Sequence, residues 1–275
     1  MLALGLSPYA LELDSFFVDR DKTPRDEDGN FDFEALEALD LEQLVDHLTR
    51  LFRVDEVQLP RYDFKSGKQA SGDTGRLRSD QLIIMEGIHG LNPRLIPHSL
   101  AGQSFRIYAS CLTQLNLDRH NRVSTTDTRL IRRIVRDSRE RGYSAHQTIQ
   151  RWESVRRGEE RHIFPYQENA DVMFNSALAY ELSVLGPIAE PLLRQVPLGT
   201  PEYRETKRLL AFLEDFSSMA DDVVFHGGPS HPILLLMSEQ RATVSLKFYW
   251  MLRVLVEDAG RSQRCDREFG HPKRR

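Results

Sequence analysis

The chain has 275 residues, 40% hydrophobic and 28% charged, with a formal net charge of -4; this is ordinary globular material with enough apolar content to bury a core. Its two cysteines, Cys111 and Cys265, stand far apart in no metal-ligand spacing, which excludes a disulfide framework and a cysteine zinc site and fits a reducing cytoplasm. No apolar run is long enough to span a bilayer and Met1 to Leu13 lacks the basic start of a secretion signal, so a soluble cytoplasmic protein is expected.

In chain order, Tyr9 to Leu13 reads as a strand running into Asp14-Ser15-Phe16-Phe17. The Asp-, Pro- and Gly-rich stretch from Asp19 to Asn30 reads as a loop. Phe33 to Phe52, with Leu36, Leu39, Leu44, Leu48 and Leu51 among acids, predicts an amphipathic helix. Val57 to Phe64 is a short segment, followed by a Lys-, Ser- and Gly-rich loop to Ser79. The apolar run Leu82 to Met85, closed by Glu86 and Gly87, reads as a strand buried on both faces of a parallel sheet. Glu86 then stands at its carboxyl end, where ligands bind in open α/β sheets.

Ser104 to Ser110 predicts another strand, Asp127 to Gly142 and Ser144 to Arg161 two arginine-rich helices, and Ala170 to Asn175 a last short strand. Helices are expected over Ala177–Val196 and Pro201–Phe216. The alternation of strands and helices indicates an α/β fold with a parallel sheet. Beyond Met219 the signal weakens, and the basic tail Gly260 to Arg275 has the composition of a disordered segment.

Charge is unevenly spread: Arg119 to Arg161 holds twelve arginines against six acids. Such helices are most often solvated faces laced with i,i+4 pairs. Two acids at strand ends, Asp14 and Glu86, beside so many arginines also suit phosphate chemistry. Guanidinium forks match phosphate oxygens, one acid can take a hydroxyl proton, and a second can hold Mg²⁺. His226 and His231 lack accompanying acids and read as loop residues, and His89 as a structural strand-end residue.

Asp14-Ser15-Phe16-Phe17, Asp28 to Glu34, Leu59 to Phe64, Ile84 to Ile88, Asp127 to Arg133, Glu140-Arg141-Gly142 and Ala170-Asp171-Val172 occur in that order. Together they resemble the phosphoribulokinase and uridine kinase family of P-loop kinases, over about Tyr9 to Asn175. The resemblance implies a three-layer P-loop NTPase-like parallel sheet with helices on both faces. It also implies an ATP- and Mg²⁺-dependent phosphotransferase acting on a nucleoside or similar hydroxyl. By the same resemblance Asp14 is the catalytic base, Glu86 the acid near substrate and Mg²⁺, and Glu34, Tyr62 and Arg129 bind the acceptor. Arg132 and Arg136 reach the ATP phosphates from a mobile lid at about 119–161. A homo-oligomer is compatible with it, and nucleic-acid binding by the arginines ranks last.

Departures stand beside it. No histidine follows the Tyr62-Asp63-Phe64 segment, Phe17 stands where the family has tyrosine, and Glu34 replaces an aspartate, which puts pyrimidine specificity in doubt. The Walker motif G-x-x-x-x-G-K-[ST] does not occur in the sequence. The chain is therefore expected to lack the first, central strand and its phosphate loop, as a fragment or an inactive binding module. Residues 1–218 would form the kinase-like domain with a helical C-terminal region, and 219–275 a poorly defined segment. The runs Pro232–Met237 and Val244–Val256 are candidates to fill the vacated central position.

Overall fold

The computed structural model of the chain describes residues 7–78, 81–218 and 249–255. Strand β1 (Ser7–Glu12) pairs in parallel with β4 (Gln81–Glu86), register Glu12 against Glu86, so Asp14 and Glu86 leave the sheet at the same edge. Gly87 makes that approach sterically feasible. Its φ of +153° suits glycine, and a Cβ there would fall 2.6 Å from the Leu13 Cβ.

Helix α1 (Leu41–Phe52) starts at Asp40, whose side chain accepts from the Gln43 N–H. Its face of Leu44, Leu48 and Leu51 enters one core with Leu11, Ile83 and Met85 of the sheet. The segment before it, predicted helical from Phe33, is instead a turn at Phe33 and Glu34 followed by a single helical turn at Leu36–Ala38. The stretch expected as a loop to Ser79 contains strand β3 (Lys68–Gly75), antiparallel to β2 (Val57–Asp63) in a separate hairpin. Its polar residues carry little strand propensity; the pairing with β2 supplies the order.

Strand β5 (Ser104–Ser110) leads to helix α2 (Thr125–Arg136), capped by Ser124, and a π turn, Asp137–Arg141, ending at Gly142 with φ +71°. Helix α3 (Ala145–His162) opens with a Ser144/Gln147 capping box. Strand β6 (Val172–Asn175) and helices α4 (Glu181–Leu193) and α5 (Pro201–Glu214) follow. Helices α2 to α5 bury Leu130, Ile134, Trp152, Leu185 and Leu209 largely against one another. Helix α1 thus packs on β1 and β4, while α2 to α5 form a separate helical core.

The main correction concerns the sheet. Its order is β1-β4-β7-β5-β6, and the central strand β7 (Tyr249–Leu255) runs antiparallel to both neighbours. The other four strands are mutually parallel, as expected. Leu252 pairs with Glu86 on one side and Ile107 on the other. Strand β7 lies within the Val244–Val256 run and satisfies backbone groups of β4 and β5 that would otherwise face each other across a gap. Residues 249–255 of the segment set apart from the kinase-like domain thereby complete its sheet. The Pro232–Met237 run, His226, His231 and the Gly260–Arg275 tail lie outside the described residues. Among the described residues no helix is long and apolar enough to cross a membrane.

Candidate active site

Beyond the carboxyl ends of β1 and β4 lies a cavity lined by Asp14, Glu34 and Glu159, by Phe17, Phe33, Tyr62 and Phe64, and by Arg20, Arg133, Arg136, Arg141 and Arg151. The aromatic wall is continuous: Phe17 lies 5.5 Å from Tyr62, 6.1 Å from Phe64 and 6.5 Å from Phe33 between ring centroids. Such edge-on and tilted rings offer faces for a planar group. Burial raises the Tyr62 hydroxyl's pKa, with Arg20 pulling the other way.

Asp14 follows β1 in a short turn, Leu13–Phe16, and its Oδ2 lies 3.8 Å from Arg141 Nη2. Arg141 also covers the Phe64 ring at 4.1 Å. Glu34 is brought to the cavity by close packing on α3, since a Cβ at Gly158 would fall 2.6 Å from the Glu34 Cβ. Burial pushes the Glu34 carboxyl above the usual range, while Arg133, 3.8 Å away, and Arg151 oppose it. Of the expected residues, Asp14, Glu34, Tyr62 and Arg136 meet at the cavity.

Glu86 is buried, 5% exposed, just behind it; the next two residues, Gly87 and Ile88, form the lining. Arg129 and Arg132 are not part of the wall. Arg129 is ion-paired with Glu159 and lies over Trp152, and Arg132 is ion-paired with Glu181 of α4. Both pairs are buried and tie α2 to α3 and α4. Arg136 is buried as well, which lowers its pKa to about 10, with Arg141 adding to the effect. It donates to Asp137 at 2.7 Å. Burial alone would raise Asp137, but Arg136, Arg133 and Arg141 outweigh it and hold this carboxyl below its ordinary range.

Several lining residues were not singled out as site residues from sequence, among them Arg20, Arg133, Arg141, Arg151, Phe33 and Glu159. Arg129, Arg132, Arg133 and Arg136 share one broad face of α2, so the helical period cannot tell which reach the cavity. Arg141 is turned toward it by the π turn, and Arg151 comes from α3. His89 stands behind the site, 2% exposed. Burial first, then His162, lowers its pKa to about 4, against Asp14 and the Ala35 backbone. Among the described residues no group of three or more His, Cys, Asp or Glu converges to hold a metal.

These features define an α/β protein with a cavity beyond the carboxyl ends of parallel strands, walled by aromatic rings and arginines around three acids. The sequence pattern of the Phosphoribulokinase / Uridine kinase family matches residues 11–183, and the chain belongs to that family. It is 27% identical over 164 residues to a uridine kinase of Clostridium botulinum (strain Kyoto / Type A2), covering 59% of this chain and 71% of that one. It is 27% identical over 170 residues to a uridine kinase of Bacillus pumilus (62% and 73% covered). Against a uridine kinase of Clostridium tetani the figure is 29% over 164 residues (59% and 70% covered). At family level this is a kinase-type enzyme.

Proposed function

We propose that the protein is a cytoplasmic ATP-dependent phosphotransferase that moves the γ-phosphoryl group to a hydroxyl of a nucleoside-like small molecule. The observation that carries this reading is Asp14, held at the end of β1 in a cavity walled by aromatic rings and arginines. Asp14 takes the acceptor's hydroxyl proton; the resulting oxygen forms the bond to the γ-phosphorus as the bond to the bridging oxygen of ADP breaks. Glu34 holds acceptor hydroxyls, and Tyr62 with Phe17 and Phe64 receives a planar ring. Arg133, Arg136 and Arg141 stabilise negative charge on the transferred group. Arg129 and Arg132, in this reading, act by fixing the arginine-bearing helices.

No Walker motif occurs in the 275 residues, and the groups they offer to phosphate oxygens are the guanidinium forks of the cavity. Glu86 is the carboxylate assigned to Mg²⁺. An ion held by one protein carboxylate fits only if water and phosphate oxygens complete its shell, as is usual for magnesium. Bound there, it would neutralise charge on the phosphates.

The absent motif also favours a second reading, a non-catalytic nucleotide- or partner-binding module. Assay of the full chain with Mg·ATP and a nucleoside panel separates the two. Asp14→Asn is expected to lower kcat by about 10²- to 10⁴-fold with an unchanged unfolding midpoint. Full activity in that variant overturns the role of Asp14, and no turnover in the parent favours the module.

A further inference from the structure

Five arginines line the cavity, and four are already engaged. Arg20 donates to the Phe64 carbonyl at 2.7 Å. Arg133 lies 3.3 Å from Asp137 and 3.8 Å from Glu34, Arg136 bonds Asp137, and Arg141 lies 3.8 Å from both Asp14 and Asp137. Arg151 differs. Among the described residues no carboxylate or carbonyl stands within ion-pair or hydrogen-bond distance of its guanidinium, which acts on Glu34 only at longer range and rests over the Phe33 ring at 5.0 Å and the Tyr143 ring at 5.8 Å.

Two ring faces fix the plane of a guanidinium while leaving its edge N–H groups free to fork onto a ligand. The position is also informative. Arg141 and Asp14 mark the Phe64 end of the aromatic wall, Arg151 marks the Phe33 end, and Phe17 lies between them. The balance of charge points the same way. Five cations face Asp14, Glu34 and Glu159, with Asp137 shared by three of them; Glu159 is already paired with Arg129, so the cations outnumber the carboxylates left to them by five to three.

We infer that the ligand of this cavity carries an anionic group, a carboxylate or a phosphate, at the end away from its reacting hydroxyl, and that Arg151 selects for it. The assignment of a reacting end rests on the phosphotransfer reading; the binding of an anion at Arg151 does not.

The test is isothermal titration of the full chain without ATP, using two matched pairs: uridine against 5-carboxyuridine, and D-ribose against D-ribose 1-phosphate. In the parent, the charged member of at least one pair should bind about 10- to 100-fold more tightly, and the responding pair identifies the group. Arg151→Gln should bring that ratio to within about threefold, and Arg151→Lys should restore part of it. A parent ratio near one for both pairs overturns the inference. So does an Arg151→Gln variant that weakens both members of a pair equally, the mark of a structural role. Because ATP is omitted, a charge preference without turnover sinks only the phosphotransfer reading, and turnover without the preference sinks only this one.

Discussion

Arg141 Nη2 stands 3.8 Å from Asp14 Oδ2, and Arg133 Nη2 stands the same 3.8 Å from Glu34 Oε1. Asp14 and Glu34 are thus each covered by an arginine from the far end of α2 or the turn after it, while the third acid of the cavity, Glu159, is paired with Arg129. A ligand entering the cavity must replace these contacts, which frees two guanidinium groups at the place where phosphoryl charge would develop. Arg141→Ala is therefore expected to reduce kcat by about 10²-fold, with a smaller change in acceptor KM. Steady-state kinetics varying each substrate in turn checks this; a change confined to KM would assign Arg141 to ground-state binding alone.

His89 is neutral in the folded protein because burial, with His162 nearby, lowers its pKa to about 4, against about 6.5 in the unfolded chain. Between these values the unfolded chain binds a proton that the native chain does not, so the contribution is fully present above pH 6.5 and lost as pH falls toward 4. The loss amounts to about 3 kcal/mol. Urea titrations at a series of pH values should show that slope in the parent and a flatter one in His89→Gln.

Arg132 and Glu181 form a buried ion pair between α2 and α4, each side chain about 10% exposed. Removing one partner leaves the other's charge uncompensated, so Glu181→Gln should destabilise the chain by about 3–5 kcal/mol. Arg132→Met combined with Glu181→Leu should recover much of that loss, because neither charge then remains. Equal destabilisation in the single and double variants would mean the pair's hydrogen bonds, including that to the Ser176 carbonyl, dominate.

Leu252 pairs with both Glu86 and Ile107 in the central strand. Proline there would remove a ladder hydrogen bond and is not accommodated in a central strand. Leu252→Pro should abolish cooperative unfolding of the chain, followed by circular dichroism on heating. Parent-like stability would show that the sheet does not depend on β7.

The acidic loop before Glu34 is tied to α3 by Arg157 to Asp28 at 2.6 Å, Arg161 to Glu27 at 2.9 Å and His162 to Asp32 at 3.2 Å. These contacts hold Phe33 and Glu34 against the cavity, and the two arginine pairs are exposed enough to be screened by salt. Arg157→Glu with Arg161→Glu should raise acceptor KM about three- to tenfold at low ionic strength. The difference from the parent should shrink at high salt, and a salt-independent difference would point to a packing effect instead.

The sequence by itself determined the order and type of most elements, the family, and the placement of Asp14 and Glu86 at strand ends. Those features are local: apolar runs, helical periodicity, caps such as Ser124 and Ser144, and short motifs of fixed residues. Only the tertiary structure decided three others. Lys68 to Gly75 became a strand because β2 offers it a ladder, not because of its own residues. The apolar run Val244–Val256 marked a candidate for the central position, but that Tyr249 to Leu255 takes it, and runs antiparallel, follows from the facing backbone groups of β4 and β5 and not from a local pattern. The arginines were sorted the same way. Arg129 and Arg132 met Glu159 and Glu181 and were buried, while Arg133, Arg136, Arg141 and Arg151 reached the cavity. That division depends on which carboxylates distant parts of the chain bring within reach, and sequence spacing does not encode it.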